Sequence, residues 1–123
     1  IIARGPIKVH GEIMTDTLIS ALRANSTLLA NASSNVANMN SRDYKPLRTT
    51  ITEGATGGIE TVTTRSVEQG APTEDGHQAS TVDLPREFAD MILAQRGFES
   101  ALVAIRTRED MMADLMETFS PGT

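Results

Sequence analysis

The strongest constraint in this sequence is an apolar repeat that advances in alternating 4- and 3-residue steps. It runs from Leu84 through Phe88, Met91, Gln95, Phe98, Leu102, Ile105, Glu109, Met112 and Met116 to Phe119, broken only by Gln95 and Glu109. Such spacing turns one stripe of a helix toward a partner, the a/d geometry of a coiled-coil seam. Asp83 is a candidate N-cap, Pro85 is tolerated in a first turn, and Ser120-Pro121-Gly122 stops a helix, so the pattern predicts a helix over 84–119. The same step recurs over 17–40 in Leu18, Leu22, Asn25, Leu29, Ala32, Val36 and Met39. Thr15 or Asp16 is the candidate N-cap there, and Pro46 follows its end.

A second row lies beside the long seam: Ala94, Gly97, Ala101, Ala104, Arg108, Met111 and Leu115. Its first half is made of small residues, so the final helix is apolar or small over a wider arc than one partner helix needs. The expectation is that the N-terminal helix covers the main seam. Ala94, Gly97, Ala101 and Ala104 then form a second face on which a helix from another subunit can approach closely. At 1.5 Å per residue the two helices would be about 36 and 54 Å long. The longer one would overhang by roughly 18 Å and leave Met111, Met112, Met116 and Phe119 without a partner in this chain.

The segment 44–81 breaks the helical pattern. Residues 47–52 and 59–67 are rich in Thr and Val and are separated by Gly54, Gly57 and Gly58, which predicts a β-hairpin. Residues 69–80 (QGAPTEDGHQAS) read as a polar loop, with disorder as the alternative to a fixed one. Residues 1–13 (IIARGPIKVHGEI) fit no periodicity and precede Met14. They are set apart as a vector-derived or disordered leader, which leaves 14–123 as one domain. The fold expected is mainly α: two long terminal helices packed as a coiled-coil-like hairpin, with a small β-hairpin and loop insert between them.

Composition narrows the function classes. A formal charge of −5 without a basic stripe argues against nucleic acid as a partner. No stretch approaches the roughly 20 apolar residues that cross a bilayer, so membrane insertion is not expected. With no Cys there is neither a disulfide nor a thiolate metal site. Of the two His, His10 falls in the leader and His77 in the polar loop; no phosphate loop or nucleophile elbow occurs. The acidic residues of the last helix, Glu87 among them, read as mostly solvated charge off the seams. No enzyme, cofactor or metal site is expected.

One cluster stands out. Asn31, Asn35 and Asn38 share a stripe at i, i+4 and i+7, although Asn is a mediocre helix former. Either the stripe is a solvated flank or its amides bond across a helix or subunit contact and fix register.

The segment Ser33-Ser-Asn-Val-Ala-Asn-Met-Asn-Ser-Arg-Asp-Tyr-Lys45 resembles the N-terminal signature of bacterial flagellar rod and hook proteins, through Ser33, Asn35, Ala37, Asn38, Asn40, Tyr44 and Lys45. Ser34 replaces an Asn, and Asp43 replaces the glycine on which the usual tight turn relies. The C-terminal half resembles the second signature of that family through Val82, Asp83, Leu84, Glu87, Met91, Gln95, Arg96, Phe98 and Glu99, with Ser100 and Ala101 in place of an Ala-Asn pair. The resemblance implies a small, proximal-rod-like axial subunit. Its terminal helices would pack with copies of itself and with other rod and hook proteins. The chain would leave the cytosol through the flagellar type III export apparatus without a cleaved signal peptide, and would reside in the periplasmic rod of the basal body. A second reading from another class is a soluble helical chaperone or adaptor of the export system.

Overall fold

The computed structural model describes residues 5–120 and 122, with side chains from residue 13 onward. The chain runs α1 (Gly5–Ala37), β1 (Leu47–Glu53), β2 (Ile59–Arg65) and α2 (Leu84–Phe119). The expected helix–hairpin–helix order is present, and α2 has the bounds its periodicity predicts. Asp83 occupies the cap position in extended conformation but makes no side-chain cap bond; Pro85 lies in the first turn.

α1 departs from expectation at its start. It begins at Gly5 and passes through Met14 without a break, so the backbone from Gly5 to Ile13 is helix and not a disordered leader, and the cap at Thr15 or Asp16 is not used. Residues 1–4 lie outside the described residues. At its other end α1 stops at Ala37, before the expected Asn40, because 38–43 form consecutive turns. With 33 and 36 residues the helices are about 50 and 54 Å long, so the predicted length mismatch is absent.

The two strands pair antiparallel, from Leu47↔Arg65 to Glu53↔Ile59. Both strands contact α1, and α1 contacts α2. α1 is therefore the middle layer, with the hairpin on one side and α2 on another. Gly57 and Gly58 both have positive φ, +88° and +83°, the left-handed conformation a non-glycine side chain resists. At the hairpin tip the Ile59 N–H donates to Ser20 Oγ at 2.9 Å. At the base Asn35 bonds Leu47. Fifteen residues of helix rise about 22 Å and seven residues of strand about 23 Å, so the hairpin lies along α1 with both ends tied.

α1 and α2 run antiparallel. Asn35 meets Glu87, Asn25 meets Gly97, and Met14 and Leu18 line one groove with Ala104 and Arg108. Among the described residues the buried apolar side chains of the two helices are alanines: Ala24, Ala32, Ala94 and Ala101.

This overturns the assignment of faces on α2. The small row Ala94, Gly97 and Ala101, extended by Ala104, faces α1 and not another subunit. The first half of the 4–3 seam lies on the flank, with Leu84 and Met91 half-buried and Leu102 exposed, and Phe88, Ile92 and Val103 are exposed on the far side. The physical reason is twofold. A small row lets the helices approach closely enough to bury alanine. A strict heptad stripe also drifts by about 20° per heptad on a straight helix, so over α2 it swings from the outer side at Phe88 to the α1 side at Met112 and Phe119.

Residues 69–80 are not disordered. Thr73 and Ala79 N–H donate to the carbonyls of His77 and Ala71, each at 2.8 Å. Pro72 and Gln78 form an isolated antiparallel bridge, so the segment is a small closed loop. No helix among the described residues is long and apolar enough to cross a membrane.

Candidate functional site

Two features carry functional weight: a buried polar hub where α1, β1 and α2 meet, and the uncovered apolar side of α2.

Asn35 is the centre of the hub and is only 1% exposed. Its Nδ2 donates to Leu47 O at 2.8 Å and to Glu87 Oε2 at 3.0 Å. Its Oδ1 accepts from Leu47 N–H at 2.8 Å and from Tyr44 Oη–H at 2.9 Å. Two donors and two lone pairs are the full capacity of a carboxamide, and all four are used. Toward Leu47 the amide pairs with N–H and C=O of one residue, as a neighbouring strand would.

Glu87 is equally enclosed, at 1% exposure, contrary to the expected solvated charge. Its Oε1 accepts from Arg48 Nη1 at 2.7 Å, and its Oε2 takes the Asn35 bond. A buried carboxylate is tolerated only with such a charge partner and a hydrogen bond. Arg48 escaped the sequence reading: it comes from β1, 39 residues from Glu87, and no local spacing connects them.

Within the Asn stripe, Asn35 thus bonds across the helix contact, one of the two expected alternatives, and is not a solvated flank. Asn31 Nδ2 donates to Thr49 Oγ1 at 2.8 Å and Thr63 Oγ1 at 3.0 Å, a cross-strand pair in the hairpin register. Asn38 Nδ2 donates to Ser34 O, and its Oδ1 accepts from Ser41 Oγ–H.

Asp43 holds the turn that its missing glycine left in question. Its φ is +57°, a conformation Asp adopts more readily than most residues. It also offers acceptors glycine lacks: Oδ1 accepts from the Gln78 backbone N–H at 2.8 Å, and Oδ2 lies 2.7 Å from His77 Nδ1. The Gln78 N–H, and secondarily His77, hold the Asp43 carboxyl below the usual carboxylate range. An exposed Arg42–Asp75 ion pair and the Lys45 bond to Gln78 Oε1 add to this clasp. The polar loop is therefore fastened to the α1–β1 turn.

The remaining signature residues divide. Tyr44 enters the hub, and Arg65 stacks over its ring at 5.7 Å. Val82, Leu84 and Met91 are half-buried, whereas Ser33, Ala37, Asn40, Asp83, Gln95, Arg96 and Glu99 are exposed. Phe98, expected at the centre of the helix seam, is 37% exposed. Gln95 bonds Glu99 one turn on. The hub draws together only Asn35, Tyr44 and Glu87 of the signatures.

On α2, Phe88, Ile92 and Val103 lie opposite Ala94, Gly97 and Ala101 at about 100° per residue, with Leu102 on the flank between, and they are exposed among the described residues. Met112, Leu115 and Phe119 continue the α1-facing side yet stay exposed. Met111, Met112 and Leu115 line an open apolar groove with Met14, Ala104 and Arg108.

Residues 78–118 match the family described as flagellar basal body rod FlgEFG protein, C-terminal. No curated protein matches the chain. The matched segment runs from Gln78 through α2 to Thr118 and includes Glu87, so this part of the chain is similar to the C-terminal region of flagellar basal body rod proteins.

Proposed function

We propose that this chain is an axial rod subunit that polymerises through α2, with the Phe88–Ile92–Leu102–Val103 side packed against a neighbouring helix. The observation that carries the reading is the two-sidedness of α2: α1 already occupies its small-residue side, and a second apolar side is left open. A large exposed apolar strip on a small chain is a hallmark of an interaction surface. In this reading α1 and α2 form a coiled-coil-like hairpin that is the packing unit. Partners are further copies and other rod or hook proteins, and delivery to the periplasmic rod proceeds through the type III export apparatus without a cleaved signal peptide.

Ile92→Glu tests the proposal. The side chain is exposed, so the isolated subunit should melt within a few degrees of the parent, whereas incorporation into recovered basal bodies, and motility, should be lost. Normal motility would remove the outer side from the interface. Concentration-dependent sedimentation separates the chaperone reading, because an axial subunit grows into larger species while a chaperone stays a small discrete oligomer.

A further inference from the structure

We propose that Asn25–Gly97 and Asn35–Glu87 form a two-point lock that sets the register of α2 along α1, and that the alanine contacts between them do not. The contact surface is poor in shape information. Ala94 and Ala101 are seven residues apart, as are Gly97 and Ala104, so a slide of α2 by one heptad, about 10.5 Å, sets alanine at the places of Ala94 and Gly97, and only beyond Gly97 brings larger side chains, Arg108 and Met111, to those of Ala101 and Ala104. Between Glu87 and Gly97 the loss of packing in such a slide is small, and the long connection between the helices permits it. In that stretch something other than alanine packing must oppose it.

Two features do, at the same separation on both helices. Asn25 and Asn35 are ten residues apart, as are Glu87 and Gly97, which places the two points about 15 Å apart along an antiparallel pair. At the first, Asn25 Nδ2 donates to Ala21 O at 2.8 Å, which pins the amide against its own helix with Oδ1 toward α2. A Cβ on Gly97 would sit 2.3 Å from that oxygen, closer than any van der Waals contact, so a larger residue there must push the Asn25 amide off its bond to Ala21. At the second, Asn35 has all four hydrogen-bonding positions filled and Glu87 is one of its partners.

A one-heptad slide would bring Ala104 onto Asn25 and Ala94 onto Asn35. The first substitution introduces the clash, and the second leaves an Asn35 donor and the Glu87 carboxylate without each other in a dry contact. Buried polar groups that specify register at some cost in stability are known in helix pairs. Here a steric point and a polar point act together. The lock is independent of what covers the outer side of α2.

Because the chain has no cysteine, register can be read by cross-linking. Leu18→Cys with Ala104→Cys reports the native register, and Leu18→Cys with Met111→Cys reports a slide of one heptad, using a short bifunctional thiol reagent. The intact chain should give only the native product. Opening both points, by Asn25→Ala with Gly97→Ala and Asn35→Leu with Glu87→Leu, should raise the shifted product about tenfold or more, and opening either alone should raise it much less. A helical, doubly opened chain that still gives only the native product overturns the lock. Paired melts decide the steric point without that variant: Gly97→Ala should lower Tm by about 4–8 °C, and adding Asn25→Ala should recover most of the loss. No loss, or no recovery, overturns it.

Discussion

The two ends of the helix pair are built on opposite principles. At the Asn35 end, α1, β1 and α2 converge on a polar hub in which a carboxamide is saturated and a carboxylate is paired with Arg48. At the Met111–Phe119 end the side chains are larger and more apolar, yet they are exposed: Met116 is 70% and Phe119 79% accessible. Hydrophobicity alone would order these regions the other way. Burial follows the number of elements that meet: three converge at the hub, whereas the hairpin lies along α1 no further than Ser20 and Ile59 and does not reach the far end. The hub end holds the subunit together, and the Met-rich end has apolar surface to offer.

The sharpest way to break this comparison is Arg48→Met, which strands the Glu87 carboxylate in a buried site. Loss of one partner of a buried pair costs about 3–5 kcal/mol, so chemical denaturation should show a large drop in midpoint. Asn35→Ala removes four hydrogen bonds and should cost about 2–4 kcal/mol on the same measurement, as buried donors and acceptors lose partners. A change under 1 kcal/mol in either would mean that the hub does not hold the fold.

Phe119→Ala should leave the isolated subunit within about 0.5 kcal/mol of the parent, the usual range for exposed positions, while Phe98→Ala should cost more because its ring is partly covered. Equal losses would show that the Met-rich end is packed in solution. Native-state amide exchange sharpens the contrast residue by residue, with slow exchange over 28–36 and 87–98 and fast exchange over 109–119. Slow exchange throughout a verified monomer would contradict it.

The smallest expected effect concerns the clasp. The Asp43 carboxyl titrates below its ordinary range, so its contribution to docking of the 69–80 loop is complete above the unfolded carboxylate pKa and is lost as pH falls through the lower folded value. Asp43→Asn should remove that acid-side dependence and leave the stability curve flatter between neutral and acidic pH. An unchanged acid limb would place the dependence elsewhere.

Much of this fold was legible in the sequence because the relevant signals are local. The alternating 4–3 step and the Asp83, Pro85 and Ser120 punctuation located α2, and the Thr-rich runs around three glycines located the hairpin. The signature residues pointed to the flagellar family without any geometry. Facing was different. Whether Gly97 or Phe88 turns toward α1 depends on how closely two helices approach and on how a heptad stripe drifts around a straight helix, and neither is a property of one segment. The start of α1 was missed because residues 5–13 carry no periodic stripe, and the order of the 69–80 loop was left open because part of it comes from Asp43, outside the segment. Glu87 read as solvated charge because its partners, Asn35 and Arg48, lie 52 and 39 residues away along the chain. Local pattern chose the elements, and only the meeting of three of them in space decided which polar side chains could be buried and which apolar ones were left for a partner.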